Sequence, residues 1–176
     1  LWNGRGQPCE LPGSRLWTPT WQTPTMADPV VITRLHPGQS GPTAVTEAYL
    51  GPRPDAVGRP WVGVCMIASV DGATAVAGRS GGLGNATDRA VLATVRRAAD
   101  VVLVGAGTAT AEGYGPPSKP GQRIGVVTNS GHLDPSTELF ASGAGFAVAP
   151  LAAPVPDGID VLRAGSHTDD LHAAVA

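Results

Sequence analysis

The longest apolar run in the chain is WVGVCMIASV, Trp61–Val70, entered from Pro60 and closed by Asp71-Gly72. Its length and its β-branched residues predict a buried strand that ends in a turn. Residues 77–84, AGRSGGLG, are glycine-rich and predict a loop. Asn85 then offers an N-cap with Asp88 at the N3 position, a reduced capping box. Val91, Leu92, Val95 and Ala99 follow on one face, which predicts an amphipathic helix over 86–99 with Arg89, Arg96 and Arg97 off the apolar stripe. VVLVG, residues 101–105, is a short all-apolar strand of the kind buried on both faces of a parallel sheet. The small-residue stretch 107–115 has room for a short helix near 108–112. Residues 123–128 predict a further buried strand ended by Asn129-Ser130-Gly131, with weaker strands at 146–149 and 159–162. Strands alternating with helices predict an α/β fold around a mostly parallel sheet. No internal repeat is present.

Proline sharpens this picture. Ten prolines precede Trp61, seven follow Gly115, and none lies between. Strand and helix interiors both need the backbone N–H that proline lacks, so the best-ordered part is expected within 61–115 and the ordered body within 59–162. Residues 1–25 hold three of the four tryptophans among prolines and threonines, without periodicity and without the charged and apolar regions of a signal peptide. Two readings stand for this stretch: a disordered tail, or sequence upstream of a start at Met26, which a first residue of Leu favours. Residues 26–58 read as an irregular extension, and 59–176 as a partial domain. At the other end, Ser166 caps a predicted helix over 169–176 with no stop signal after it, so the domain reads as C-terminally incomplete.

Composition excludes several classes of function. With 42% hydrophobic residues, 15% charged residues and a net charge of −2, the chain has material for a core and no basic surplus to neutralise a phosphate backbone. No run is long enough to span a membrane. Two cysteines, Cys9 and Cys65, are too few for a disulfide scaffold, and the expected compartment is the cytoplasm. His36, His132, His167 and His172 form no metal-ligand spacing, so no metal site is expected. No Gly-x-Ser-x-Gly elbow exists. Gly105-Ala106-Gly107 follows a strand, but Thr110 stands where a dinucleotide fingerprint needs its third glycine, and the acid about 20 residues on is missing. Thr108 reads either as a hydroxyl donor to a ligand across the strand end or as a helix N-cap.

The segments RPWVGVCMIASVDGATA, GRSGGLGNATDRAVLATVRRAADVVLVGAGTATAEGYGP and IGVVTNSGHLDP, taken in order, resemble the reductase domain of bacterial riboflavin biosynthesis, the pyrimidine reductase family. Four features carry the resemblance: a strand with Ser-x-Asp-Gly, a glycine-serine loop before a helix ending in Arg, Val-Gly-x-Gly-Thr, and a strand ending in Asn-Ser. It covers 60–135 well and 136–176 loosely. It implies a three-layer α/β/α architecture like dihydrofolate reductase. It also implies a site at the carboxyl ends of neighbouring strands, where Ala68, Gly82, Thr108, Glu112 and Ser130 match positions that touch NADPH. Ser80 and Arg96 match positions that hold the phosphorylated ribose and the pyrimidine of the substrate.

Two departures bear on the site. Cys65 stands where the family often carries Lys, and Gly82 where it often carries Trp. The family's later Glu-Gly-Gly segment has no counterpart before Ala176. Asp71-Gly72 reads as a turn closure, and no side chain is assigned as the catalytic residue. The resemblance implies NADPH-dependent reduction of 5-amino-6-(5-phosphoribosylamino)uracil to its ribitylamino product, by a homodimer when full length. The alternatives are a non-catalytic NADPH- or nucleotide-binding protein and a reductase of a related pterin.

Overall fold

The computed structural model describes residues 30–35, 38, 40–51 and 60–175. The expectation for residues 1–25 lies outside them. Within 26–58, expected to be irregular, the chain forms an antiparallel hairpin of β1 (Val31–Arg34) and β2 (Gly41–Ala44), followed by the short helix α1 (Val45–Tyr49). Four-residue strands with two faces half exposed carry too little periodicity to be read from sequence.

Helix α2 spans Ala86–Ala98, one residue shorter than predicted at its end, and α1 packs against it. Its N-cap is the predicted one: the Asn85 side chain accepts a hydrogen bond from the Asp88 amide at 3.0 Å. Its C-terminal carbonyls are satisfied from a distant loop. Lys119 Nζ donates to the Ala99 carbonyl at 2.7 Å, and the buried Gln122 donates through Nε2 to the Arg96 and Ala99 carbonyls at 2.7 and 2.8 Å. The stripe Val91, Leu92 and Val95 is half-buried, and the most deeply buried residue of the helix is Thr94.

The main sheet holds β3 (Val101–Gly105), β4 (Arg123–Val127), β5 (Gly145–Ala149) and β6 (Val161–Arg163), all parallel and in that order. Between them run α3 (Ala106–Ala111) and α4 (Glu138–Ala141). Paired residues of a parallel ladder share a face. Val102, Val104, Ile124, Val126 and Ala147 fall on one face and form the core with Leu139 and Phe140 of α4 and Ala109 of α3. Val101, Leu103 and Leu162 alternate onto the other face and remain 40–47% exposed. Gly125 is fixed by packing: a Cβ there would lie 2.6 Å from Leu103 Cδ2 and 2.7 Å from Phe146 Cζ.

Three expectations need correction. Residues 61–70 are not a buried strand. The segment carries no ladder, and Val62, Val64 and Met66 are 60%, 89% and 76% exposed. An apolar run becomes a buried strand only when neighbours pair with it and layers cover it. Among the described residues β3 forms a ladder only with β4, and no strand forms one with 61–70. The weak strand placed at 159–162 begins instead at Val161, with Ile159 buried just ahead of it. The C-terminal helix is the short α5 (Leu171–Ala174), capped by Asp170 rather than Ser166, because the Asp170 side chain accepts from the Ala173 amide at 3.0 Å. No helix of the described residues is long and apolar enough to cross a membrane.

Candidate functional site

The carboxyl end of β3 runs directly into α3, so Thr108 sits in the first turn of a helix placed at the strand end, with its residue exposed. Open parallel sheets bind small molecules along such an edge. Helix α3 ends at Glu112, and the chain reverses through Gly113 at φ +63°, a left-handed conformation that favours glycine. The Tyr114 amide bonds back to the Ala109 carbonyl at 2.9 Å and the Gly113 amide to the Thr110 carbonyl at 3.3 Å, the pattern of a Schellman turn. This turn fixes two side chains that emerge on either side of Gly113.

Glu112 Oε1 accepts both the backbone N–H of Ser80 at 3.0 Å and its hydroxyl at 3.1 Å. The contact spans 32 residues of sequence and holds the 3₁₀ turn Ser80–Gly82 against the end of α3. The loop ahead of that turn is closed by a bridge between Val76 and Arg79. Gly82 lies with its Cα side against Val76, where an added Cβ would be 3.1 Å from Val76 Cβ, so the tryptophan often found there in the family would require this loop to rearrange. Tyr114 takes the other direction. Its ring lies 4.8 Å from the Arg96 guanidinium carbon, its hydroxyl accepts from Arg96 Nη2, and it packs on the core cluster.

The turn after α3 thus ties two candidate residues to itself, Ser80 through Glu112 with Gly82 in the same 3₁₀ turn, and Arg96 through Tyr114. Thr108 stands one helical turn ahead of Glu112, and the Arg96 backbone is held beside Gln122 at the amino end of the sheet. Ser130 follows the neighbouring strand β4. Its Oγ accepts from the His132 amide at 3.3 Å and lies 3.4 Å from Thr128 Oγ1, which itself accepts from the Gly131 amide. Ala68 is in the exposed segment 61–70, and no hydrogen bond among the described residues ties it to the loop or to α3. Just beyond it, Gly72 at φ +88° closes a turn in which its amide bonds to the Ser69 carbonyl and Ser69 Oγ pairs with Asp71. The side-chain bond from Ser69, helped by backbone bonds, holds the Asp71 carboxyl below the usual carboxylate range. Asp71 is thus committed to a turn, as its sequence context implies.

Cys65 is solvent-accessible, yet partial shielding raises its thiol pKa, and the Asp88 carboxylate adds to the rise while Arg96 opposes it. A neutral thiol therefore stands where relatives often place a cation. Among the described residues no group of three His, Cys, Asp or Glu side chains could hold a metal ion. Sequence reasoning missed Tyr114. The available signal was Gly113 directly after a short helical stretch, a C-terminal stop that fixes the direction of the next residue.

The exposed hydroxyls of Thr108 and Ser130 and the side-chain-free backbone at Gly81, Gly105 and Gly107, where an added Cβ would meet nothing within 4 Å, suit a flat, polyhydroxylated ligand lying across the strand ends. Fold and site together define an open α/β domain of the reductase type. The chain belongs to the RibD C-terminal domain family, which residues 60–152 match, and so to the reductase family of riboflavin biosynthesis. A solved pyrimidine reductase-like protein from Corynebacterium diphtheriae is 26% identical and superposes with a TM-score of 0.52, over 62% of this chain and 56% of that one. The chain thus spans little more than half the length of that relative. No curated protein matches.

Proposed function

We propose that this chain forms the cofactor- and substrate-binding face of an NADPH-dependent reductase that converts 5-amino-6-(5-phosphoribosylamino)uracil to its ribitylamino product. One observation carries the reading: the Glu112-Gly113-Tyr114 turn, which closes the helix that carries Thr108, holds Ser80 by one side chain and Arg96 by the other, residues 16 apart in sequence. Thr108 and Ser130 would hold the cofactor by their hydroxyls, with the glycine backbone of residues 81–82 leaving room for a planar ring. Arg96 would take the substrate's phosphate or planar amide edge, since a guanidinium presents a fork of donors to paired acceptors. Ser80, fixed by Glu112, would orient the ribose. Bound NADPH supplies the hydride to the opened ribosyl carbon. The same reading takes the working protein to be a cytoplasmic homodimer.

A second reading, reduction of a related pterin, is favoured by one feature. The neutral Cys65 thiol and the unsubstituted Gly82 alter the pocket at one position where the family often has a cation and at one that matches a cofactor contact. NADPH consumption, followed optically with the phosphoribosylamino-pyrimidine and with a pterin as competing substrates, separates the two. Turnover of the pyrimidine supports the first reading and turnover of the pterin the second. Binding of NADPH with turnover of neither leaves a non-catalytic binding protein.

A further inference from the structure

Arg96 is more constrained than a substrate-facing arginine near a helix end needs to be. Its backbone carbonyl is held by Gln122 at 2.7 Å, its guanidinium lies over the Tyr114 ring at 4.8 Å, and Nη2 donates to the Tyr114 hydroxyl. Its Nε is buried with no hydrogen-bond partner. Tyr114 is itself held, by the Schellman turn on one side and by the core cluster on the other. A guanidinium can offer paired acceptors either its side-on edge, Nε with Nη2, or its end-on edge, Nη1 with Nη2. The first is closed here, because Nε is buried without a partner, while the bond to the tyrosine uses one of the two Nη2 hydrogens and leaves the other, with Nη1, for the second.

We infer that Tyr114 is a positioning residue that closes the side-on edge of Arg96 and presents the end-on edge to a phosphate monoester. The inference rests on the reading of Arg96 as a substrate contact. Held this way, the guanidinium gives up less rotational freedom on binding than a free arginine, whose long side chain samples many rotamers. The Tyr114 hydroxyl acts on orientation and makes no contact with ligand. Its role is therefore visible only through Arg96.

The test uses ribose 5-phosphate as the probe, titrated calorimetrically into the 176-residue chain, with the Arg96 Nε–H followed by NMR. Tyr114→Phe keeps the ring and removes the acceptor. It is expected to weaken ribose 5-phosphate binding roughly 3- to 10-fold, as loss of one ordinary hydrogen bond does, and to speed exchange of the Arg96 Nε–H, with NADPH affinity unchanged. In an Arg96→Ala background the same substitution is expected to change nothing further. If Arg96→Ala loses affinity while Tyr114→Phe does not, or if Tyr114→Phe costs as much without Arg96 as with it, the positioning role is overturned alone. If Arg96→Ala leaves ribose 5-phosphate binding intact, the assignment of Arg96 to substrate fails and takes the inference with it.

Discussion

Glu112 reaches 32 residues back along the chain to accept two hydrogen bonds from Ser80 through a single carboxylate oxygen. A loop of small exposed residues gains its fixed point from this contact. Glycine-rich loops lose much conformational freedom on ordering, so removal of the carboxylate is expected to loosen the Ser80–Gly82 turn. Glu112→Gln keeps an acceptor and removes the charge, and Glu112→Ala removes both. Hydrogen exchange at the Ser80 amide is expected to accelerate modestly in the first variant and about 10-fold in the second, since bonds to charged acceptors exceed neutral ones and solvent exposure reduces both. An unchanged exchange rate in Glu112→Ala would show that the loop is held by its own bridge between Val76 and Arg79.

Gly113 makes the divergence of Glu112 and Tyr114 possible. At φ +63° an L-residue with a Cβ pays about 1 kcal/mol, although the space around the position is open. Gly113→Ala is therefore expected to lower stability by about 1 kcal/mol in urea unfolding, and Gly113→Asn by less, because asparagine tolerates this region. Equal losses for the two variants would point to a cause other than backbone conformation.

The chain has apolar residues of two kinds, and their energetics should differ sharply. Leu139 is 2% exposed in the core cluster, whereas Val64 is 89% exposed. Leu139→Ala is expected to cost about 2–5 kcal/mol, a transfer loss plus a cavity. Val64→Ala is expected to fall within about 0.5 kcal/mol of the parent. A large loss at Val64 in equilibrium unfolding would mean that segment 61–70 is covered in solution.

Two aspartates should titrate in opposite directions. One Asp169 carboxylate oxygen is buried without a partner, and desolvation raises its pKa. A carboxyl whose folded pKa exceeds its unfolded value binds more protons when folded, so its contribution to stability falls as pH rises from the ordinary carboxylate value through the raised one. Asp169→Asn is expected to stabilise the chain by about 0.5 kcal/mol at neutral pH, with the gain vanishing below the ordinary range. The Asp169 backbone bond to Asn129, 2.7 Å long, survives the change. Asp71 is lowered, so its stabilising effect is present above the ordinary value and lost as pH falls through the depressed one. Carboxyl NMR titration of the parent and of Ser69→Ala checks both signs, and the Asp71 midpoint should return toward the ordinary value in the variant.

Local signals were legible in the sequence and pairing was not. The Asn85 cap, α2, and the strands β3 and β4 stand where periodicity and caps place them, because each depends on residues within one or two turns of itself. The segment 61–70 reads as a strand by composition yet carries no ladder, since a strand is a property of two chains of residues and only one was visible in the run. The motif match singled out Ser80, Glu112 and Arg96, but not that one turn would join them, and it passed over Tyr114, whose contact with Arg96 follows from the direction in which Gly113 sends the chain. The hydroxyl pair Thr128 and Ser130 was half seen: Ser130 by motif, and Thr128, which anchors the turn, only in three dimensions.

On the proposed reading, substitution of Thr108 should separate cofactor binding from substrate binding. It lies in the first turn of α3, four residues before the C-cap Glu112, and no side-chain hydrogen bond within the described residues occupies its hydroxyl. If that hydroxyl serves the cofactor, Thr108→Val removes one donor while keeping shape and β-branching, and NADPH affinity should fall roughly 3- to 10-fold. The Glu112–Ser80 contact and the Arg96–Tyr114 stack do not involve this side chain, so ribose 5-phosphate affinity should hold. Ser130→Ala should act in the same sense on NADPH. The two effects should add, because the residues stand on different strand ends with no shared partner. Fluorescence titration with NADPH and calorimetry with ribose 5-phosphate, on the same four proteins, measure all of these terms. A loss of both affinities in Thr108→Val would place the hydroxyl in the fold of the turn and not in the cofactor site. No loss of NADPH affinity in either variant would move the cofactor away from the ends of β3 and β4.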